Sequence, residues 1–135
     1  MIADSSVWIA AERHGQSVSD LLRAIKAAGG SGQVMISAVG VIEICHGIWR
    51  ANTPERMERR RLYVEEIFSA VSVQPFTKEM GELAAKIDAE GRKAGKVIPF
   101  ADLQIGVTAL QLGYPVVTDN VRHFGMIPHL DVKRI

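Results

Sequence analysis

The order in which strand-like and helix-like segments follow one another limits the fold of this chain more than any other feature. Short apolar runs at residues 1–4, 33–36, 71–74 and 115–118 alternate with longer stretches in which apolar residues recur at helical spacing. Parallel strands need long crossover connections, which are usually helices. The pattern therefore predicts an α/β fold in which a mostly parallel sheet is flanked by helices.

Residues that favour helix ends support the same division of the chain. Hydroxyl side chains, which cap helix N-termini well, stand at the expected starts of four helices, at Ser17, Ser37, Thr53 and Thr77. The last long helix is expected over Ala101–Leu112, with Gly113 ending it. No repeat or long linker interrupts this order, so we expect a single domain over residues 1–135.

Composition and charge narrow the class of protein. A hydrophobic content of 47% with 23% charged residues fits one compact domain with a real core. The 16 Lys and Arg against 15 Asp and Glu leave a net charge of +1, so contact with a nucleic acid must come from local patches. The run ERMERRR at residues 55–61 interleaves both signs and is interpreted as a solvent-exposed helix face.

Neither export nor a membrane span is expected from the sequence. No apolar run approaches the ~18 residues that a spanning helix needs, and the N-terminus lacks a basic segment followed by a long apolar one. The single cysteine, Cys45, excludes an internal disulfide and is interpreted as a core residue. We therefore expect a cytoplasmic protein without a membrane partner.

A carboxylate directly follows the first predicted strand, at Asp4. In an open α/β sheet, ligands bind beyond the carboxyl ends of the strands. Asp119 and Asn120 follow the last predicted strand and should reach the same edge. Two alternatives stay open, because an aspartate after a strand is often a helix N-cap and the sequence around Asp119 is typical of a turn.

The segment ISAVGVIEICHGIWR predicts a helix that is apolar nearly all round. A helical wheel places one broad apolar face on Ala38, Val41, Ile42, Cys45, Ile48 and Trp49. The remaining gap holds Glu43 between Gly40 and Gly47, with Arg50 on the same side as a contact for phosphate. Glycine within a helix costs about 1 kcal/mol relative to alanine. Two glycines beside one acid therefore favour a functional channel over a merely solvent-exposed stripe.

Asp102 repeats this pattern, with Gly106 one turn later in the predicted helix IPFADLQIGVTALQLG. A favourable interaction with the helix dipole is the alternative for an acid in a first turn. Carboxylates that are directed repeatedly to one edge of a buried sheet need a positive group to neutralise them. Oxygen ligands suit a hard divalent cation such as Mg²⁺ or Mn²⁺, and such sites usually serve phosphate chemistry.

Three stretches of the chain resemble a known family: ADSSV near the start, SAVGVIEICHG in the middle and IPFADLQIGVTALQLGYPVVTDNVRHF near the end. They are similar to PIN-domain ribonucleases, and specifically to the VapC-type toxins of type II toxin–antitoxin pairs. The resemblance spans almost the whole chain. It implies a PIN-like three-layer α/β/α sandwich with a central, mostly parallel sheet of four to five strands.

The resemblance also implies roles for particular residues. The family's first three acidic positions fall on Asp4, Glu43 and Asp102. These residues would hold Mg²⁺, for which Mn²⁺ can substitute. Ser6 falls on the small polar residue after the first acid. The fourth acidic position is Asn120 here, with Asp119 one residue earlier, so one of these two side chains is expected to complete the catalytic site.

The activity that this resemblance implies is that of a Mg²⁺-dependent endoribonuclease. It would act on RNA as a homodimer and be inhibited by a cognate antitoxin that covers the acidic cleft. Two alternatives remain at this point. One is a receiver-like phosphoacceptor signalling module, which also gathers acids around Mg²⁺ at strand ends, and the other is an inactive PIN-like binding subunit.

Overall fold

The computed structural model describes residues 1–135 and contains five strands and seven helices. The strands are β1 (Ile2–Ala3), β2 (Met35–Ser37), β3 (Ser72–Gln74), β4 (Val116–Thr118) and β5 (Val132–Arg134). The helices are α1 (Ser5–Arg13), α2 (Val18–Gly29), α3 (Ala38–Trp49), α4 (Pro54–Ala70), α5 (Lys78–Lys93), α6 (Phe100–Leu112) and α7 (Val121–Phe124). None of the helices combines the length and the apolarity that crossing a bilayer requires.

All five strands form one parallel sheet in the order β3-β2-β1-β4-β5. The α/β prediction and the four predicted strands are confirmed, although β1 covers only Ile2–Ala3 and leaves Asp4 just beyond its end. None of the strand segments predicted by residue number covers β5, because the segment DVKRI lacks an apolar run and forms an edge strand. Receiver-type modules have the strand order 2-1-3-4-5, so the observed order does not support that alternative.

The core lies on both faces of the sheet, because side chains alternate along each strand. Ala3 of β1 and Val117 of β4 point into one apolar cluster, whereas Ile2 and Val116 point into the other. Helices α1, α2 and α4 cover the first face through Trp8, Ile25 and Ile67. Helices α5, α6 and α7 cover the second through Ile87, Leu103 and Phe124. The arrangement is the three-layer α/β/α sandwich.

The predicted N-terminal caps of α2, α3, α4 and α5 are confirmed. Side-chain oxygens accept hydrogen bonds from backbone N–H groups of the first turn at Ser17, Ser37, Thr53 and Thr77. Helix α6 ends at Gly113, whose φ of 69° is in the left-handed region that favours glycine. The caps therefore fix the residue at which each of these four helices begins.

The predicted apolar face of α3 is wrong for two residues. Ile42 is 57% exposed and Trp49 is 74% exposed, while the fully buried positions of this helix are Gly40 and Ile44. A Cβ atom at Gly40 would lie 3.1 Å from Ile36 Cγ1, so the glycine lets the helix backbone approach β2. Because α3 packs on the sheet through this side, Glu43 turns inward. Cys45 is half-buried and packs against the first cluster.

Candidate functional site

Five of the predicted site residues meet at the carboxyl edge of the sheet. A cleft of about 330 Å³ is lined by Asp4, Glu43, Asp102 and Asn120, together with Ser5, Ser6, Ile9, Ala10 and Arg13 of α1. Asp4 follows β1 and Asn120 follows β4, whereas Glu43 comes from α3 and Asp102 from the first turn of α6. Residues far apart in sequence therefore converge because parallel strands end at one edge.

Asp4 stands at the N-cap position of α1 but does not cap it. Its side chain accepts no hydrogen bond from the helix backbone, and only 3% of the residue is exposed. Its Oδ2 atom instead accepts hydrogen bonds from Ser6 Oγ at 2.5 Å and from Thr118 Oγ1 at 2.9 Å. The N-cap alternative is therefore wrong, and hydroxyl groups aim this buried carboxylate into the cleft.

Glu43 is linked to Asp4 through one hydroxyl group. Ser5 Oγ donates a hydrogen bond to Glu43 Oε2 and lies 3.4 Å from Asp4 Oδ1. A hydroxyl carries a single proton and can donate to only one carboxylate at a time. Ser5 therefore holds the two acids close together without neutralising either of them.

Asp102 is held by the segment that follows β4. Its Oδ2 atom lies 2.6 Å from His123 Nδ1 and accepts a hydrogen bond from Asn120 Nδ2 at 3.2 Å. The Asp102 side chain is only 15% exposed, and this burial raises its pKa. The hydrogen bond from His123 opposes that increase, while the negative charge of Asp4 adds to it. The negative charge of Asp4 thus lies close enough to disfavour the ionised form of Asp102.

The cleft leaves out two of the residues predicted to contact the substrate. Asp119 is exposed and does not line the cleft, whereas the next residue, Asn120, does. Arg50 is also exposed and lines the adjacent groove between α1, α3 and α4. Ser6, the third of these residues, lies in the cleft and binds Asp4. The turn after β4 therefore presents the amide side chain, and not the carboxylate, to the other acids.

Sequence reasoning missed four residues of this site: Ser5, Arg13, Thr118 and His123. Arg13 lies seven residues after Ser6, which places both on one face of α1, two turns apart. His123 lies three residues after Asn120, the spacing of neighbours on one helix face. Both spacings are present in the sequence, but they carry meaning only once Ser6 and Asn120 are known to face a site.

The donor chemistry of the cleft fits a hard divalent cation. No group of three or more His, Cys, Asp or Glu side chains encloses one point closely enough to form a complete ligand set. Mg²⁺, however, usually keeps several waters and binds through one or two carboxylates. Asp4 and Asp102 could provide those two carboxylates, and none of the three acids of the cleft forms an ion pair with lysine or arginine.

Comparison with sequences of known proteins identifies a family. The family model described as the PIN domain matches residues 1–127. A protein named Ribonuclease VapC from Rickettsia bellii is 30% identical over 135 residues, which cover 100% of this chain and 96% of that protein. The similarity is therefore spread along the chain and is not limited to the acidic motifs.

Solved structures share the fold. One of them is a VapBC2 structure from Rickettsia felis that is bound to a DNA fragment from the promoter. A chain of that structure superposes with a TM-score of 0.83 at 18% sequence identity, and the match covers 99% of this chain and 97% of that chain. A DNA-bound VapBC structure from Salmonella typhimurium gives a TM-score of 0.82 at 21% identity, with coverages of 98% and 96%. By its family-model match and its 30% identical relative, the chain belongs to the PIN-domain family, among the VapC-type ribonuclease toxins.

Proposed function

We propose that this chain is a Mg²⁺-dependent endoribonuclease, the toxin of a toxin–antitoxin pair, and that Mn²⁺ can substitute for Mg²⁺. The observation that carries the proposal is the environment of Asp4. This carboxylate is 3% exposed, faces two further acids across one cleft and has no cationic partner. Burying a charge in this way is costly unless a positive group binds there.

Asp4 and Asp102 would hold the cation directly, and Glu43 would contact one of its waters or, through Ser5, keep Asp4 in place. When bound, Mg²⁺ supplies a water of lowered pKa and a positive charge for the oxygens of the phosphate group. Asn120 offers a neutral carbonyl oxygen as a further ligand to the cation or its water. The site would therefore carry three acids and one amide.

The remaining polar side chains of the cleft would orient these ligands and the substrate. Thr118 and Ser6 fix the rotamer of Asp4, and His123 fixes that of Asp102. Such supporting hydrogen bonds matter because ligands act only when held in the correct geometry. Arg13 is the one positive side chain that lines the cleft, and it would bind a phosphate oxygen of the RNA.

The test is RNA cleavage by protein purified free of its antitoxin. We expect cleavage of an RNA transcript in Mg²⁺ or Mn²⁺, none after addition of EDTA, and recovery when excess Mg²⁺ is restored. Undiminished cleavage in EDTA would exclude the metal-dependent mechanism. Absence of cleavage with either metal, from a folded protein, would favour the inactive PIN-like binding subunit. Transfer of phosphate from acetyl phosphate to an aspartate would favour the receiver-like alternative.

An antitoxin partner is supported by the solved structures and by a groove next to the cleft. The groove has a volume of about 220 Å³ and lies between α1, α3 and α4. Two buried polar atoms on its lining residues, Trp8 Nε1 and Tyr63 Oη, have no hydrogen-bond partner. Burial, with smaller effects of Glu66 and Glu12, raises the pKa of Tyr63 to about 12, so its hydroxyl remains a donor at neutral pH.

We propose that a segment of the antitoxin enters this groove and covers the cleft. Co-expression with the neighbouring reading frame should yield a stable complex without ribonuclease activity. Helix α2 adds little apolar surface for a partner, because Val18, Leu21 and Ile25 are buried. Helix α4 offers more, since Leu62 and Phe68 are 53% and 36% exposed.

We also propose that the protein is a homodimer in the cytoplasm. Large apolar side chains that monomers usually bury are exposed on two helices that pack together, at Trp49 of α3 and Phe100 of α6, with exposures of 74% and 76%. A second copy would remove them from water. Light scattering during gel filtration should give twice the monomer mass of 14.8 kDa, and a monomer mass at micromolar concentration would contradict the dimer.

A further inference from the structure

A second depression lies beside the acidic cleft and has the opposite charge. It has a volume of about 400 Å³ and is lined by Glu12, Arg13, Gly15, Arg56, Arg59 and Arg60. Four arginines against one glutamate give its lining a net charge of +3. No apolar residue lines it. We refer to these six residues as the arginine pocket.

The arginine pocket changes the interpretation of the charged run at residues 55–61. Arg61 behaves as expected of a solvent-exposed helix face, because it forms ion pairs with Glu58 and Glu65 of its own helix. Arg59 forms no ion pair or side-chain hydrogen bond, and Arg56 binds only the neutral Asn52. Arg59 and Arg61, two residues apart on α4, therefore lie on different faces of the helix: one face is neutralised within the helix and the other is not.

Arg13 joins the arginine pocket to the acidic cleft, because its side chain lines both. Arg60 is fixed at the other side, where Nη1 donates a hydrogen bond to the Gly47 carbonyl oxygen at 2.6 Å and Nε lies 3.8 Å from Glu12 Oε1. The cleft carries three acids against Arg13 alone. Apart from Arg13 and a bound cation, the cleft therefore repels a polyanion, which needs further positive charge next to the cleft.

We infer that the arginine pocket binds the phosphate groups of the RNA strand that flank the scissile phosphate, with Arg56 and Arg59 as its main contacts. This inference rests on the proposed ribonuclease function and adds the path that the substrate takes. Guanidinium groups bind phosphate oxygens through two parallel hydrogen bonds. Such contacts give affinity without sequence preference. The RNA strand would thus run from the acidic cleft past Arg13 and along the N-terminal half of α4.

The composition of the pocket favours RNA over a protein segment. Protein segments usually bind through apolar or aromatic anchors in the centre of an interface. The groove between α1, α3 and α4 offers such a surface, with Ile44, Val64 and Ile67 among its lining, whereas the arginine pocket offers none. The two depressions are therefore suited to different occupants, although they share Arg13 and Arg60.

The experiment measures binding of a short fluorescein-labelled oligouridylate by anisotropy, in EDTA, over a series of NaCl concentrations. Each phosphate contact to a single strand contributes about 0.7 to the slope of log K against log salt. Arg56→Ala combined with Arg59→Ala should lower the slope by about 1.4 and weaken binding roughly 10- to 30-fold near 0.1 M salt. Arg61→Ala, on the same helix but outside the pocket, is the matched control and should bind as the wild type does.

Cleavage kinetics provide a second readout with the metal present. The double variant should raise KM for an RNA transcript and leave kcat unchanged, because neither arginine lines the cleft. Arg59→Lys, which keeps the charge, should retain most of the binding. Both arginines are exposed, so folding should be retained, and matching thermal melts would verify this.

The outcomes separate this inference from the proposed function. Unchanged RNA binding and KM in the double variant, with a wild type that still cleaves RNA, would overturn the inference alone. Loss of binding to the co-expressed antitoxin with RNA binding intact would assign the pocket to the protein partner and would also overturn it. A wild type that neither binds nor cleaves RNA would reject the ribonuclease function, and the inference with it.

Discussion

The carboxylates of the cleft and those of the outer helices are held in opposite ways. On α4 and α5, acids pair with basic residues of the same helix: Glu58 with Arg61 at 2.7 Å, Glu82 with Lys78 at 2.6 Å and Asp88 with Arg92 at 2.8 Å. In the cleft, Asp4 and Glu43 bind only hydroxyl groups, and Asp102 binds a histidine and an amide. The same type of side chain has a lysine or arginine partner in one region and none in the other.

The difference indicates which acids are available for chemistry. An exposed ion pair contributes at most about 1 kcal/mol, and its charges are already compensated. The acids of the cleft are close together, buried or half-buried and without a lysine or arginine partner, so the fold keeps an electrostatic penalty there. Binding a cation would remove this penalty, which is why we assign function to the cleft and only a surface role to the paired acids.

The largest effect is expected from removing one charge of the cleft. Asp4→Asn should reduce RNA cleavage by at least about 100-fold, since even the loss of a residue that supports a metal ligand costs about 10- to 100-fold. The asparagine oxygen can still accept the hydrogen bonds from Ser6 and Thr118, so the free energy of unfolding should not fall. Glu82→Gln, which removes a paired acid, is the control and should cleave normally. An active Asp4→Asn protein would refute the ligand role.

A smaller loss is expected at His123, which supports Asp102 without belonging to the acidic set. His123→Ala should lower activity about 10- to 100-fold and raise the Mg²⁺ concentration needed for half-maximal cleavage. His123→Asn, whose amide can replace Nδ1 as the donor to Asp102, should recover part of that loss. If alanine and asparagine behaved alike, a purely structural role in the packing of α7 would replace the positioning role.

The turn after β4 contains two neighbouring polar residues: Asn120 lies in the cleft and Asp119 lies outside it. Asn120→Ala should weaken cleavage several-fold, because it removes a hydrogen bond to Asp102 and an oxygen ligand, whereas Asp119→Ala should leave most activity. Asn120→Asp should lower the Mg²⁺ concentration for half-maximal cleavage, because a further carboxylate attracts the cation. An inactive Asp119→Ala protein with Asn120→Ala unaffected would make Asp119 the fourth acid.

These neighbours also illustrate the limits of prediction from sequence. The alternation of the first four strands with helices, the hydroxyl caps and the three candidate acids all follow from local patterns. The structure brings those acids into one cleft. Which of Asp119 and Asn120 faces the cleft depends on the rotation of a single turn. Local patterns leave that rotation open, and the structure selects Asn120.

Helix α3 and Gly106 show a different limit. The wheel assigned Ile42 to the core because it is apolar, but the helix packs on the sheet through Gly40, where the backbones can approach. Gly106 was paired with Asp102 as part of a site, yet a Cβ there would overlap Ile127 in the core. Glycines can therefore mark close packing as well as function, and only tertiary contacts separate the two.

The smallest effect concerns stability and pH. Burial raises the pKa of Asp102 above its ordinary value of 3.8, so the folded state holds this proton at pH values where the unfolded state has lost it. The contribution of Asp102 to stability therefore falls as pH rises from about 3.8 through its folded pKa. In EDTA, Asp102→Asn should exceed the wild type in free energy of unfolding at pH 7, and urea titrations should show this gain shrinking toward pH 4. A gain independent of pH would contradict the assignment.

The central claim is that the uncompensated acids of the cleft bind a divalent cation, and titration with Mn²⁺ followed by electron paramagnetic resonance tests it without reference to activity. Bound Mn²⁺ loses the sharp signal of the free ion. We predict saturable binding by the wild type and by Glu82→Gln, and binding weakened at least about tenfold in Asp4→Asn and in Asp102→Asn. A wild type that binds no Mn²⁺, or Asp4→Asn and Asp102→Asn proteins that bind it as tightly as the wild type, would contradict the account.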